Sequence, residues 1–179
     1  MVAIGVLLAG LAPAMSQLDF NFMPKGGKTL LLEFLGAPAD TAELRKVADT
    51  RRTEVEWREA LAVRAKDLGE QERRTLAAYL AVNMPLPQGA MQEAEKKNDL
   101  AAALPRDGRE LAWSECQFCH SLFSSYLTQD RDVRAWLNTF QSPFHRELKL
   151  TAQERDEFAR YSAINMPMKI EDVPKDLRF

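Results

Sequence analysis

The residues with the most specific chemical pattern are Cys116, Cys119 and His120, which form a Cys-x-x-Cys-His sequence. This spacing is typical of covalent haem attachment, because each thiol can form a thioether with a haem vinyl group and the imidazole can bind the iron. A free thiol pair, a disulfide or half of a zinc site would use the same cysteines. A zinc site requires further Cys or His pairs, and the chain has 2 Cys in all. The pattern therefore predicts one covalently bound haem c, attached at Cys116 and Cys119, with His120 as the proximal iron ligand.

Helices are predicted on both sides of this motif. Residues 108–116 lead into it, and residues 131–141 carry Trp136 at helical spacing with other apolar residues. A Thr-x-x-Glu capping box at Thr151 opens a closing helix, after a loop over residues 142–150. No alternating apolar run is long enough for a sheet, so the predicted fold class is all-α. The predicted helices before the closing one are residues 27–36, 41–49, 53–66, 70–83, 90–104, 108–116 and 131–141.

An internal repeat divides the chain into two similar halves. Gln-Glu-Arg and Asn-Met-Pro recur at an offset of 82 residues, a tryptophan recurs at 79, and a Gly-basic-x-Leu sequence recurs at 81. Such self-similarity predicts two tandem helical modules. Continuing the offset of 81 residues places Leu35, Pro38 and Ala39 where the second half has Cys116, Cys119 and His120. We therefore predict that the first half carries no haem.

The predicted domain organisation follows from the repeat and from the apolar N-terminus. Residues 2–14 are uncharged and apolar, and small residues follow them, as in a secretory signal peptide. No Lys or Arg precedes Lys25, so an uncleaved anchor is the alternative. Export to the periplasm agrees with haem attachment to Cys-x-x-Cys-His, which in bacteria takes place outside the cytoplasm. The predicted parts are a signal peptide (1–16), a haemless cytochrome c-like module (17–88), a linker (89–106) and a haem domain (107–179).

Composition and charge exclude several classes of function. The chain of 179 residues has 46% hydrophobic and 28% charged residues, which is typical of a globular protein. Its formal net charge of −2 provides no basic field, so nucleic acid is not an expected partner. The apolar N-terminal run is too short to span a bilayer, and no membrane span is predicted in the mature chain.

The second half resembles a class I cytochrome c domain over residues 107–168. The resemblance rests on a short helix running into Cys-x-x-Cys-His, a middle helix with Trp136 and a closing helix with Tyr161. The Arg-x-Trp helix, followed by Glu-Arg-x5-Tyr, resembles small bacterial monohaem cytochromes that serve periplasmic dehydrogenases. The resemblance implies crossing first and last helices, an apolar haem crevice, an electron-transfer role and a redox partner protein. The first half resembles the same family through the repeat alone.

The sequence differs from that family at the position of the sixth iron ligand. In the family, this ligand is usually a methionine that precedes the closing helix. No methionine lies between His120 and Met166, whereas His145 lies in that region. Met166 belongs to an Asn-Met-Pro sequence that recurs at Met84, in the half without the haem motif, so ending a helix explains it. The region around His145 is also three residues longer than its counterpart in the first half. We predict His145 as the sixth ligand, with Met168 and Met166 as alternatives.

These features predict a periplasmic c-type cytochrome that is not itself an enzyme. It would carry single electrons between a dehydrogenase and a downstream acceptor, as a soluble carrier or as a subunit of an oxidoreductase complex. The haemless half favours the subunit, because it offers a docking surface more than a redox centre. One alternative is a five-coordinate haem protein that binds a small ligand, as a sensor or weak peroxidase. Another is a structural subunit in which the haem has no redox role.

Overall fold

A computed structural model describes residues 20–36, 39–117 and 119–179. All regular secondary structure in these residues is helical, which confirms the all-α prediction. The predicted signal peptide (1–16) lies outside the described residues, as do Pro38 and Phe118. The α-helices are α1 (Gly27–Leu35), α2 (Thr41–Ala48), α3 (Glu54–Arg64), α4 (Glu70–Asn83), α5 (Ala90–Lys96), α6 (Gly108–Cys116), α7 (Val133–Thr139), α8 (Pro143–Arg146) and α9 (Ala152–Asn165). A π-helical turn spans Phe123–Leu127, and 3₁₀ turns span Leu100–Ala103, Ile170–Asp172 and Lys175–Leu177.

Local sequence explains where the longer helices begin and end. Helices α3, α6 and α9 each begin with a capping box. The side-chain oxygen of the N-cap residue accepts from the backbone N–H of the third helical residue, and the Glu side chain at that third position accepts from the N-cap backbone N–H. The box at Thr151 confirms the prediction for the closing helix. Both α4 and α9 end where a methionine adopts an extended conformation before proline. Within the described part of the chain, no helix has the length and apolar content needed to cross a bilayer.

Two predicted segments differ from the structure. The loop predicted over residues 142–150 contains α8, which starts after Ser142 with Pro143 in its first turn, a position that suits proline. The helix predicted over residues 90–104 ends at Lys96, because Asn98 takes a left-handed conformation (φ 51°) and a 3₁₀ turn follows. The tail after Pro167 contains two short 3₁₀ turns.

Equivalent glycines allow helices to cross closely in both halves. α1 packs on α4, α6 packs on α9, and α4 packs on α9 between them. A Cβ atom at Gly27 would lie 2.1 Å from the Cβ of Tyr79, and one at Gly108 would lie 2.1 Å from the Cβ of Tyr161. Only glycine permits this approach of backbone and tyrosine. The recurring Gly-basic-x-Leu sequence therefore marks a helix crossing in each half.

The two halves also contact each other reciprocally. The Tyr79 hydroxyl donates to the Pro105 carbonyl (2.9 Å), and the Tyr161 hydroxyl donates to the Pro24 carbonyl (2.6 Å). In each case the acceptor immediately precedes the first helix of the other half. Two amide pairs repeat the exchange: Gln71 with Asn165 (2.9 Å) and Gln153 with Asn83 (2.8 Å). Reciprocal pairs of this kind are typical of an isologous interface. That each half is a cytochrome c-like module stays a prediction.

Buried apolar residues form two clusters, one in each half. The first cluster contains side chains of α1 to α5, and the region predicted as a linker contributes Met91, Ala94 and Leu104. The second contains side chains of α6, α7 and α9, and it is completed from both ends of the described chain, by Met23 and Val173. The second cluster therefore holds α6, and the motif at its C-terminal end, against α9.

Candidate cofactor site

Helix α6 positions the Cys-x-x-Cys-His motif. Cys116 is the last residue of α6 and is half-buried, whereas Cys119 and His120 follow the helix and are exposed. Both cysteines are free thiols. The close crossing at Gly108 fixes α6 on α9 at the other end of the helix. The motif therefore projects from a rigid element, with its last two residues accessible from solvent.

The motif residues line a cavity of about 690 Å³, here called the motif cavity. This volume lies within the range of small-molecule and cofactor sites. His145 also lines it, so the structure brings together the four residues that the sequence predicts for thioether attachment and iron ligation. Aromatic side chains supply much of the rest of the wall: Tyr126, Trp136, Phe140, Phe144 and Phe158. The motif cavity can accept a large, flat and apolar ligand that reacts with two thiols.

The rings of the two histidines lie close together. The ring centroids of His120 and His145 are 5.9 Å apart, and the ring planes are perpendicular. His145 Nδ1 lies 2.9 Å from the Ser142 hydroxyl and 3.2 Å from the Thr139 carbonyl oxygen. The other ring nitrogen of His145 makes no hydrogen bond within the described part of the chain. One nitrogen of His145 is thus anchored, and the other remains for a ligand.

The alternative methionine ligands lie elsewhere. Met166 is buried in the second cluster at the end of α9, as its counterpart Met84 is at the end of α4. Met168 lines a separate groove with Phe22 and Lys25, and its backbone N–H donates to the Leu127 carbonyl (2.8 Å). Neither methionine is among the described residues that line the motif cavity. Their placement favours His145 over both.

Trp136 and Arg131 provide polar groups that sequence reasoning did not assign to the site. Trp136 is 2% exposed and lines the motif cavity, and its indole N–H has no hydrogen-bond partner within the described chain. Arg131 also lines the cavity, with its guanidinium carbon 5.1 Å from the centroid of the Trp136 ring. A buried N–H without an acceptor is costly, so it marks a place where a ligand's acceptor is expected. The sequence contains one signal for this pair, because an Arg five residues before a Trp occurs in both halves. In the first half, the guanidinium carbon of Arg52 lies 5.0 Å from the centroid of the Trp57 ring.

Three other arginines of the second half, Arg106, Arg109 and Arg146, are not among the described residues that line the motif cavity. Arg106 forms ion pairs with Glu115 (2.8 Å) and Glu154 (2.7 Å). Arg109 donates to the Thr29 hydroxyl (3.1 Å) in the contact between the halves. Arg146 donates to a backbone carbonyl and is not among the residues that line the motif cavity.

The electrostatics of Cys116 argue against thiol–disulfide chemistry. Burial raises the pKa of the Cys116 thiol to about 12, and the nearby carboxylate of Glu115 adds to this effect. Reactive cysteines in dithiol oxidoreductases have a lowered pKa, because the thiolate is the nucleophile. Among the described residues, no group of three or more His, Cys, Asp or Glu side chains is placed to hold a metal ion. The zinc alternative therefore gains no support from the described residues.

The corresponding region of the first half is filled with apolar side chains. Leu35, the counterpart of Cys116, is buried in the first cluster. The space beside Trp57, the counterpart of Trp136, has a volume of about 10 Å³ and is lined by Phe34 and Leu61 among others. A water molecule barely fits such a volume. The repeat therefore retains the tryptophan without the cavity.

No protein-family model, curated protein or solved structure matches this chain.

Proposed function

We propose that this protein is a periplasmic c-type cytochrome that carries single electrons, and that one haem would be held covalently by Cys116 and Cys119 with His120 as an iron ligand. The observation that carries the proposal is the placement of both thiols and both histidines on one aromatic cavity. When bound, the haem would supply an iron that exchanges one electron between its ferric and ferrous states. The proteins that donate and accept this electron would be a dehydrogenase and a downstream acceptor.

The walls of the motif cavity suit the two parts of a haem. The aromatic side chains would cover the apolar macrocycle and exclude water from it. The unpartnered indole N–H of Trp136 could donate to a propionate oxygen, and the guanidinium of Arg131 could offset propionate charge. The raised pKa of Cys116 is compatible with a thiol that forms a permanent bond and does not exchange.

His145 is the proposed sixth ligand. Imidazole–metal bonds in proteins are about 2 Å long, so two imidazoles that bind one metal ion can have ring centroids roughly 6 Å apart. The observed separation of 5.9 Å between His120 and His145 agrees with this arrangement. Two protein ligands present in both redox states keep structural change small during electron transfer. This property favours an electron carrier over a five-coordinate haem protein that binds a small ligand.

The partner would approach at the exposed part of the motif cavity. Cys119 and His120 are exposed there, and Phe144 on α8 is 87% exposed at the same cavity. An aromatic side chain this exposed suits a contact with another protein. The haemless first half would contribute a docking surface, which favours a subunit or a docked partner over a free carrier. Co-purification of the full chain from its native host tests this point, and recovery of a lone soluble chain contradicts it.

Haem content tests the proposal directly. The chain is expressed in a bacterium with the haem attachment machinery, and covalent haem is measured after acid–acetone extraction of the denatured protein. We expect one haem per chain in the wild type and a less stable holoprotein with one thioether in Cys116→Ala or Cys119→Ala. Two haems per chain, or none, would refute the proposal.

Spectra of the holoprotein test the ligands. His145→Ala should give a high-spin ferric spectrum and allow carbon monoxide to bind the ferrous form, whereas Met168→Ala should leave both properties unchanged. A near-infrared sulfur-to-iron band that survives His145→Ala and disappears in Met168→Ala would show that methionine is the sixth ligand. Carbon monoxide binding by the wild type would favour the five-coordinate alternative.

A further inference from the structure

We propose that Ser142 is a positioning residue: with the Thr139 carbonyl, it holds His145 in the tautomer that carries its proton on Nδ1, which leaves Nε2 free for iron. The inference rests on the proposed function, since it concerns how the sixth ligand is held. Ser142 belongs to no iron-binding motif in the sequence, so this role is additional to the residues predicted there.

Three hydrogen bonds determine the tautomer. The Thr139 carbonyl can only accept, and it lies 3.2 Å from His145 Nδ1. The Ser142 hydroxyl donates to the same carbonyl (3.1 Å), so its oxygen is left to accept from His145 Nδ1 at 2.9 Å. Both neighbours of Nδ1 therefore require that Nδ1 carry the proton. In a neutral imidazole, the other nitrogen then has the lone pair that a metal ion needs.

The Thr139 carbonyl is available for this role because of its place in α7. It belongs to the last residue of that helix, where carbonyl groups have no partner within the helix. A histidine near a helix C-terminus can satisfy such a carbonyl. Metal-binding histidines in proteins are commonly fixed in the same way, by a carbonyl or carboxylate that accepts from the nitrogen not bound to metal.

The segment that carries His145 is held on both of its sides. On one side, the Arg146 guanidinium donates to the Gln141 carbonyl (2.8 Å) across α8. On the other, the Arg155 guanidinium donates to the carbonyls of Arg146 and Leu148 (3.2 Å each) and stacks on Phe140 (5.2 Å to the centroid). These contacts leave the ring orientation of His145 to Ser142 and Thr139. The ligand is thus preorganised by contacts of its own loop.

Ser142 can be changed without removing a helix cap. It occupies the N-cap position of α8, but its side chain makes no capping hydrogen bond there. Ser142→Ala therefore removes the contact to His145 and to the Thr139 carbonyl alone. Ser142→Thr keeps the hydroxyl and should behave as wild type. Ser125→Ala is the matched control, because Ser125 also lines the motif cavity but is not a hydrogen-bond partner of His145.

The test measures cyanide binding to the ferric holoprotein, because cyanide must displace the sixth ligand. Loss of an outer-sphere partner of a metal-binding histidine typically weakens metal binding about 10- to 100-fold. We expect Ser142→Ala to bind cyanide faster by a factor in that range, with a high-spin fraction in its ferric spectrum. Ser142→Thr and Ser125→Ala should match the wild type, with haem content equal in all four proteins.

Each outcome separates this inference from the proposed function. Cyanide rates that are equal in wild type and Ser142→Ala, at one haem per chain, overturn the role of Ser142 and leave the proposed function standing. An equal acceleration in Ser125→Ala also overturns it, because the effect would then come from any change in the cavity wall. A chain without covalent haem overturns the proposed function and this inference together.

Discussion

Glu157 offers the sharpest test of the interface between the halves, because it is a carboxyl group in a fully buried position. It lies on α9, is 2% exposed, and accepts from the Gly108 backbone N–H (3.0 Å) and from the Asn83 side-chain amide (3.3 Å). The carboxylates of Asp107 and Asp156 both act to raise its pKa. No cation is among the causes that shift its pKa. Replacing it with glutamine keeps the size of the side chain and removes the ionisation.

Burial raises the pKa of Glu157 from 4.5 to about 8, and the carboxylate of Asp107 contributes to the increase. A pKa raised on folding means that, between these pH values, the folded chain holds a proton that the unfolded chain has lost. Stability therefore falls as pH rises through this range, and it is unaffected by this group below pH 4.5. One pKa unit corresponds to about 1.4 kcal/mol, so the loss is about 3 kcal/mol at pH 7 and roughly 5 kcal/mol above pH 8.

The assay compares urea unfolding of wild type and Glu157→Gln from pH 5 to pH 9. The difference between the two free energies of unfolding removes the contribution of titrating groups that do not interact with Glu157. At pH 5 we expect the variant to be less stable by about 1 kcal/mol, because its amide group faces the Asn83 amide and one hydrogen bond is weakened. With rising pH the difference should change sign and favour the variant by several kcal/mol at pH 9.

A surface variant serves as the control. Glu147 is exposed on the loop after α8, and Glu147→Gln should leave the pH profile of stability as in the wild type. A difference between Glu157→Gln and wild type that is constant with pH would refute the reasoning, since it would mean that Glu157 ionises alike in the folded and unfolded chains. A variant that is less stable at every pH would refute it as well.

Two further predictions concern the helix crossing and the cavity wall. Gly108→Ala should lower the free energy of unfolding in urea by about 1–3 kcal/mol, because the added methyl overlaps a tyrosine of α9. Gly69→Ala is the control and should not lower it, because the nearest atom to a Cβ there is 3.5 Å away. Equal effects in the two variants would contradict the close helix crossing at Gly108. If the proposed haem binds with a propionate on the Trp136 N–H, Trp136→Phe should destabilise the holoprotein by about 1.5–3 kcal/mol through loss of that hydrogen bond. Trp57→Phe removes an equally unpartnered N–H from the buried core of the first half, so it should show only the packing loss that both substitutions share; an equal loss in the two variants would assign the effect to packing alone.

Local signals in the sequence predicted much of the helical framework. The Thr-x-x-Glu box at Thr151 and the Asn-Met-Pro sequences act within one turn of chain, so their effect does not depend on the rest of the fold. Segments whose structure depends on distant contacts were predicted less well. Residues 142–150 look like a loop, and α8 exists there because Pro143 suits a first helical turn and Arg155 holds the carbonyls that follow it.

The candidate site shows the same division. Cys116, Cys119 and His120 are close together in sequence, so haem attachment could be proposed for them without any structure. His145 could be proposed from the sequence, but its anchoring by Ser142 and Thr139 could not, since it depends on how α7 ends. Glu157 gave no signal, because a carboxylate in a charged helical stretch normally faces solvent, and it is the packing of α4 and α6 on α9 that buries it.

The repeat separates residues that hold the halves together from residues that form the site. The tyrosines, the Gln–Asn pairs and the glycines of the helix crossings occur in both halves and make the same contacts twice. The thiols and the anchored histidine occur in the second half, whereas apolar side chains of α1 and α3 fill the corresponding space in the first. One interface position also differs: Thr75 lies where the second half has Glu157, and it pairs with Asn165 as Glu157 pairs with Asn83. Because a threonine satisfies the amide without an ionisable group, the pH dependence predicted for this interface arises from the half that carries the site.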